Sequence, residues 1–91
     1  MEHETSSESS REEALYRAIL KEVRLLMADR EVTQEDIASR LGIRRETVSG
    51  YLSGATKKGM PTTVLIAVAD ILEEDLGELT RRAIERAQRE G

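Results

Sequence analysis

Apolar side chains recur at helical spacing in five stretches of this chain, separated by polar or glycine-containing breaks. In the first stretch Leu15, Ile19, Val23 and Leu26 fall three or four residues apart, which is one stripe of an amphipathic helix. Leu25 and Met27 lie off that stripe and are expected to pack on another helix. Ser10 followed by Glu13 has the form of a capping box, in which two side chains satisfy free backbone N–H groups reciprocally. The helix is therefore expected from Arg11 to Asp29. Residues 1–9 are polar without periodicity and read as a disordered acidic tail, leaving 10–91 as one domain.

Thr33, with Asp36 three residues on, predicts the N-cap of a helix Gln34–Leu41 that turns Ile37, Ala38 and Leu41 inward. Gly42 stops it, because glycine reaches the left-handed backbone region that a tight turn after a helix needs. Ile43 is apolar inside that turn and is expected beneath it. A third helix follows from Arg44 or Arg45 to Ser53, with Val48, Tyr51 and Leu52 inward and Gly54 at its end. Residues 54–60 read as a loop. Pro61 stands where a helix begins, a place where its missing N–H costs nothing. From Thr62 to Leu72 the chain is almost wholly apolar. Its β-branched residues would suit a buried strand, but about eleven residues is long for a strand and no second strand exists to pair with it. A central buried helix is expected instead. Asp75 and Glu78 form another capping box, opening a last helix from Leu76 to about Gln88 with Leu76, Leu79, Ala83 and Ala87 on one face. The fold class predicted is all-α with five helices. No strand-and-turn pattern follows the third helix, so a wing hairpin is not expected.

Composition narrows this further. A chain of 91 residues makes one domain with a modest core. It has no cysteine, which removes disulfides and thiolate metal sites. No apolar run approaches the ~18–20 residues of a membrane span, and the acidic, polar start is unlike a secretory leader, so a cytoplasmic location is the default expectation. No catalytic set survives inspection. The one histidine, His3, lies in the tail, no glycine-rich phosphate loop exists, and the pair Glu73 and Glu74 sits in a polar connection. Neither an enzyme nor a cofactor is expected.

The net charge of −4 argues against a nucleic-acid partner, but its distribution does not. Arg40, Arg44, Arg45, Lys57 and Lys58 are opposed between residues 40 and 58 only by Glu46. Acidic stretches flank this basic one: Glu2, Glu4, Glu8, Glu12 and Glu13 before it, and Asp70, Glu73, Glu74, Asp75 and Glu78 after it. Screening confines charge effects to roughly 8 Å, so the local patch outweighs the total.

The segment Thr33–Gly54 holds the pattern with most information. Small Ala38 falls where two helices must cross closely, Gly42 four residues on at the turn, and Val48 six residues further inside the junction. Two helices joined steeply by a short turn need this set. Here the sequence resembles the helix-turn-helix family of phage lambda repressor and Cro, also called the xenobiotic-response-element type. The resemblance covers about residues 13–80, including the helix before the motif, the Pro61-Thr62 helix start after it and the Leu72-Glu-Glu-Asp-Leu-Gly-Glu-Leu79 entry to the fifth helix. It implies a sequence-specific DNA-binding transcriptional regulator, a repressor that binds an inverted-repeat operator as a dimer.

On that reading the third helix enters the major groove, and Arg44, Arg45, Glu46, Thr47, Ser49 and Gly50 occupy its first turn and outer face. Arg45 is the expected main base reader, since arginine pairs bidentately with guanine, followed by Glu46 and Ser49. Gln34 matches a family position that clamps a phosphate, aided by the N–H groups of its helix start. Thr56, Lys57 and Lys58 are expected on the DNA backbone, where they fix register without reading sequence. The plain alternatives stand beside these roles: a solvated turn for Arg44 and Arg45, a polar loop for Lys57 and Lys58, an ordinary first-turn residue for Gln34. Gly50 either lets the helix approach the groove or is a tolerated defect. Tyr51 is expected in the core. Arg81, Arg82, Arg86 and Arg89 read as a solvated face paired with Glu78, Glu85 and Glu90. Ile84, at the edge of the last helix's apolar face, marks the expected homodimer surface. Two further readings use the same fold: an antitoxin that binds DNA and a toxin, and a protein-interaction module that has lost its DNA contacts.

Overall fold

The computed structural model describes residues 2–54 and 59–90. Five helices follow in order: α1 (Glu2–Arg30), α2 (Gln34–Leu41), α3 (Arg45–Ser53), α4 (Thr62–Ile71) and α5 (Leu76–Glu90). No strand occurs among the described residues.

The start of α1 differs from the one expected at Ser10. The helix runs from Glu2, so Ser10 stands inside it and the segment read as a tail carries helical backbone. No proline or glycine interrupts residues 2–30, and the glutamates at its start favour a helix N-terminus.

α2 begins as the sequence requires. Thr33 is extended (φ −98°, ψ 167°), its Oγ1 accepts from Asp36 N–H at 3.1 Å, and its own N–H donates to Asp36 Oδ2 at 2.9 Å. Gly42 ends the helix in the left-handed region (φ 68°), and Ile43 N–H returns to the Ala38 carbonyl at 3.0 Å. That closed turn aims α3 across α2. At α5 only half of the expected box forms. Asp75 Oδ2 accepts from Glu78 N–H at 3.0 Å, while the Glu78 carboxylate binds Arg81.

The core gathers one face from every helix. Leu20, Val23, Ile37, Val68, Leu72 and Leu79 are fully buried, with Ala38, Val48, Leu52, Ala69 and Ala83 beside them. Each large apolar side chain so buried contributes roughly 1.5–3 kcal/mol. Leu15 and Ile19 are half-buried and Leu20 carries that stretch of α1 instead. Met27 packs inward as expected, whereas Leu25 is 44 % exposed. α4 is less enclosed than its composition predicts. Val68 and Ala69 are buried, but Ile66 is 51 % exposed, because the small body covers only one side of the helix.

α1 and α5 run antiparallel, fixed by ion pairs along their length. Lys21 meets Glu90 at 3.3 Å, and Arg86 Nε donates to Glu22 Oε1 at 2.9 Å. Near the C-terminal end of α1, Arg30 donates to the Leu72 carbonyl and to Glu74, whose other oxygen accepts from Arg82. Arg82 and Arg86 thus join separate elements, and are not part of the solvated face expected of them. Arg81 does pair along its own helix, with Glu78 and Glu85.

Candidate nucleic-acid interface

The arrangement of α2 and α3 follows from what each buries. Ile37 and Ala38 on α2 and Val48 and Leu52 on α3 share one cluster, so both helices show their remaining faces to solvent. Ile43 packs against that cluster from inside the turn, half-buried. α3 is also held at its far end. Arg24 of α1 donates through Nη1 to the Leu52 carbonyl at 2.6 Å, a cation at the C-terminal end of a helix where its dipole is negative. Gly54 then closes the helix in the left-handed region (φ 76°).

The front of α3 is open. Arg44, Arg45, Glu46 and Thr47 are all exposed, and Ser49 and Gly50 behind them are half-buried. Arg44 is the N-cap residue, extended at φ −78° and ψ 148°, and its side chain makes no cap hydrogen bond. Arg45 opens the helix with 60 % of its side chain exposed, and its Nη1 lies 3.9 Å from Glu35 Oε1 at the start of α2. Both arginines are exposed, Arg45 with Glu35 of α2 as its neighbour.

Gln34 is half-buried at the first position of α2, one residue from Glu35. Its helix start is less inviting to a phosphate than an uncapped one. The Asp36 N–H is taken by Thr33 Oγ1, and the Glu35 and Asp36 carboxylates occupy the same turn. The two hydrogen bonds from Thr33, backbone first, hold the Asp36 carboxyl below its ordinary range. Thr56, Lys57 and Lys58 lie outside the described residues. After them, Met60 N–H donates to the Tyr16 hydroxyl of α1 at 2.6 Å.

Sequence reading missed several contributors. Tyr51 is half-buried as expected for a core aromatic, but Tyr16, Arg24 and Glu35 carried no signal. Their roles depend on contacts across 44, 28 and 10 residues of sequence respectively, which no local pattern encodes. No group of three or more histidine, cysteine, aspartate or glutamate side chains placed to hold a metal occurs among the described residues. Among them, too, no helix is long and apolar enough to cross a membrane.

With this geometry in place, comparison with known proteins adds one finding. A family model described as a Cro/C1-type HTH DNA-binding domain matches residues 22–82, from the last third of α1 to the first half of α5. The curated proteins and the solved structures gave no match.

Proposed function

The chain belongs to the Cro/C1-type helix-turn-helix DNA-binding family, and from that membership we propose that it is a transcriptional repressor which binds an inverted-repeat operator as a dimer. α3 is the reading helix. Arg45 pairs with a guanine through its fork of donors, while Arg44, Glu46, Thr47, Ser49 and Gly50 contact neighbouring base edges and sugar-phosphate. Gln34 holds a phosphate beside them, and Thr56, Lys57 and Lys58 contact the backbone further along. In a dimer two such helices lie about 34 Å apart, one turn of duplex.

One observation carries this reading. Val48 and Leu52 lock the inner side of α3 into the core, while Arg44, Arg45, Glu46 and Thr47 at its front stay exposed. A helix so held presents a rigid cationic tip of a size the major groove admits.

The test begins with selection of bound duplex from a random pool, which yields the site and its symmetry. Fluorescence anisotropy then compares the protein with Arg45→Ala on the selected duplex. Loss of one bidentate base contact is worth about 1–3 kcal/mol, or roughly 5- to 150-fold in affinity. Binding should also fall steeply with salt as phosphate counterions return. A titration unmoved by Arg45→Ala sinks the reading. Binding to another protein that is indifferent to salt would favour an interaction module.

A further inference from the structure

We propose that Glu35 is a positioning residue for Arg45: its carboxylate selects which edge of the guanidinium is left to read a base. The inference rests on α3 being the reading helix.

Glu35 takes no part in capping its own helix. That work falls to Thr33 and Asp36, which satisfy each other's backbone N–H groups. The Glu35 side chain is 76 % exposed, and its Oε1 stands 3.9 Å from Arg45 Nη1. The two residues lie on different helices, at the second position of α2 and the first of α3. Their spacing is set by the turn at Gly42 and by the buried faces of Ile37, Ala38, Val48 and Leu52, not by the two side chains themselves.

This placement answers an electrostatic problem. A cation on the first residue of a helix faces the positive end of the helix dipole. The neighbouring carboxylate supplies the compensating charge from outside α3. The guanidinium is planar, with donors along fixed edges. At 3.9 Å the carboxylate is beyond hydrogen-bond length and occupies no donor, but it draws the Nη1 end toward α2 and so favours the edge formed by Nε and Nη2 for guanine O6 and N7. In water an exposed pair at this distance is weak. Between protein and duplex, where water is thinned, the same attraction grows.

Glu35 also opposes binding, because it brings a negative charge to a surface meant for phosphates. Its removal therefore has two separable effects. Overall affinity rises, and discrimination at the base pair under Arg45 falls. A residue that only tuned surface charge would produce the first effect alone.

The experiment uses the full chain and the duplex selected from a random pool. The base pair read by Arg45 is the one at which Arg45→Ala loses discrimination. On Glu35→Gln, the affinity ratio between the selected duplex and one altered at that base pair should drop by about threefold or more, while affinity for an unrelated duplex rises. In an Arg45→Ala background Glu35→Gln should leave the ratio unchanged. An unaltered ratio in the otherwise native protein, with affinity shifting alike on every duplex, overturns the positioning role and leaves α3 as the reading helix. If Arg45→Ala changes discrimination nowhere, the proposal falls together with the reading beneath it.

Discussion

The carboxylate of Glu22, only 4 % exposed, accepts a hydrogen bond from Arg86 Nε at 2.9 Å and ties α1 to α5. The guanidinium side is 37 % exposed, so water shares it while the glutamate depends on it. Arg86 is held in its charged form beyond the ordinary arginine value, first by this hydrogen bond and then by the charge of Glu22. Removing one partner of such a pair leaves a buried charge uncompensated, whereas replacing both with apolar groups removes the desolvation cost as well. Arg86→Met should therefore lower the melting temperature, by on the order of 10 °C for a domain this small. The double variant Glu22→Leu with Arg86→Met should recover most of that loss. Thermal unfolding followed by circular dichroism decides it, and a double variant no better than Arg86→Met would refute the account.

Two helices end on a glutamate in a conformation that suits glycine. Glu31 has φ 55° and Glu73 has φ 57°, and in each case the following N–H reaches back five residues: Val32 to Met27, Glu74 to Ala69, both at 2.9 Å. An L-residue in the left-handed region costs roughly 1–2 kcal/mol. Glycine relieves that but loses about 0.5–1 kcal/mol through the greater freedom of the unfolded chain. Glu31→Gly and Glu73→Gly should each stabilise the fold by about 0.5 kcal/mol, read from the urea midpoint with the slope unchanged. Valine at either position should move the midpoint the other way. A glycine variant less stable than the native chain would contradict this.

Acid should weaken the fold partly through two exposed carboxylates. Hydrogen bonds from Thr33 lower the pKa of Asp36, and the hydrogen bond and charge of Arg81 lower that of Glu78. Because both pKa values are lower folded than unfolded, their contribution is complete above about pH 4, the unfolded range, and disappears as pH falls through the folded values. Asp36→Asn forfeits the α2 contribution at any pH. Its melting temperature should lie about 1–3 °C below that of the native protein at pH 7. The gap should shrink toward pH 3. A gap that stays constant between pH 7 and pH 3 would falsify the assignment to the Asp36 charge.

Local chemistry made the central part of this fold legible. Thr33, Gly42 and Gly54 mark the ends of α2 and α3 because caps and left-handed turns are decided within a few residues. Ile37, Ala38, Val48 and Leu52 reveal the inner faces through their spacing, and all four are buried. Glu22 shows the limit. It sits in α1 with the look of a surface residue, and only the arrival of Arg86 from 64 residues away makes its burial tolerable. The same holds for Glu74, which a polar connection disguises and which two arginines from α1 and α5 enclose. On the exposed front of α3 the candidate residues come from sequence, while Glu35 could not, since its relation to Arg45 exists only once the turn has folded.

Ile84 carries the remaining prediction. It is 38 % exposed on α5, away from the buried Leu79 and Ala83. Leu25 on α1, which packs against α5, is a second exposed apolar side chain, at 44 %. If the chain dimerises as proposed, an exposed apolar side chain on α5 is where a second copy would pack, about the two-fold axis of the proposed inverted repeat. Ile84→Glu would place a charge in that contact, where desolvation is costly. It should weaken self-association at least about tenfold in sedimentation velocity and reduce affinity for the full inverted repeat far more than for a half-site. Its helicity should be unchanged, because the position is not in the core. If the native chain sediments as a monomer and binds two half-sites no better than one, the α5 surface does not make the dimer.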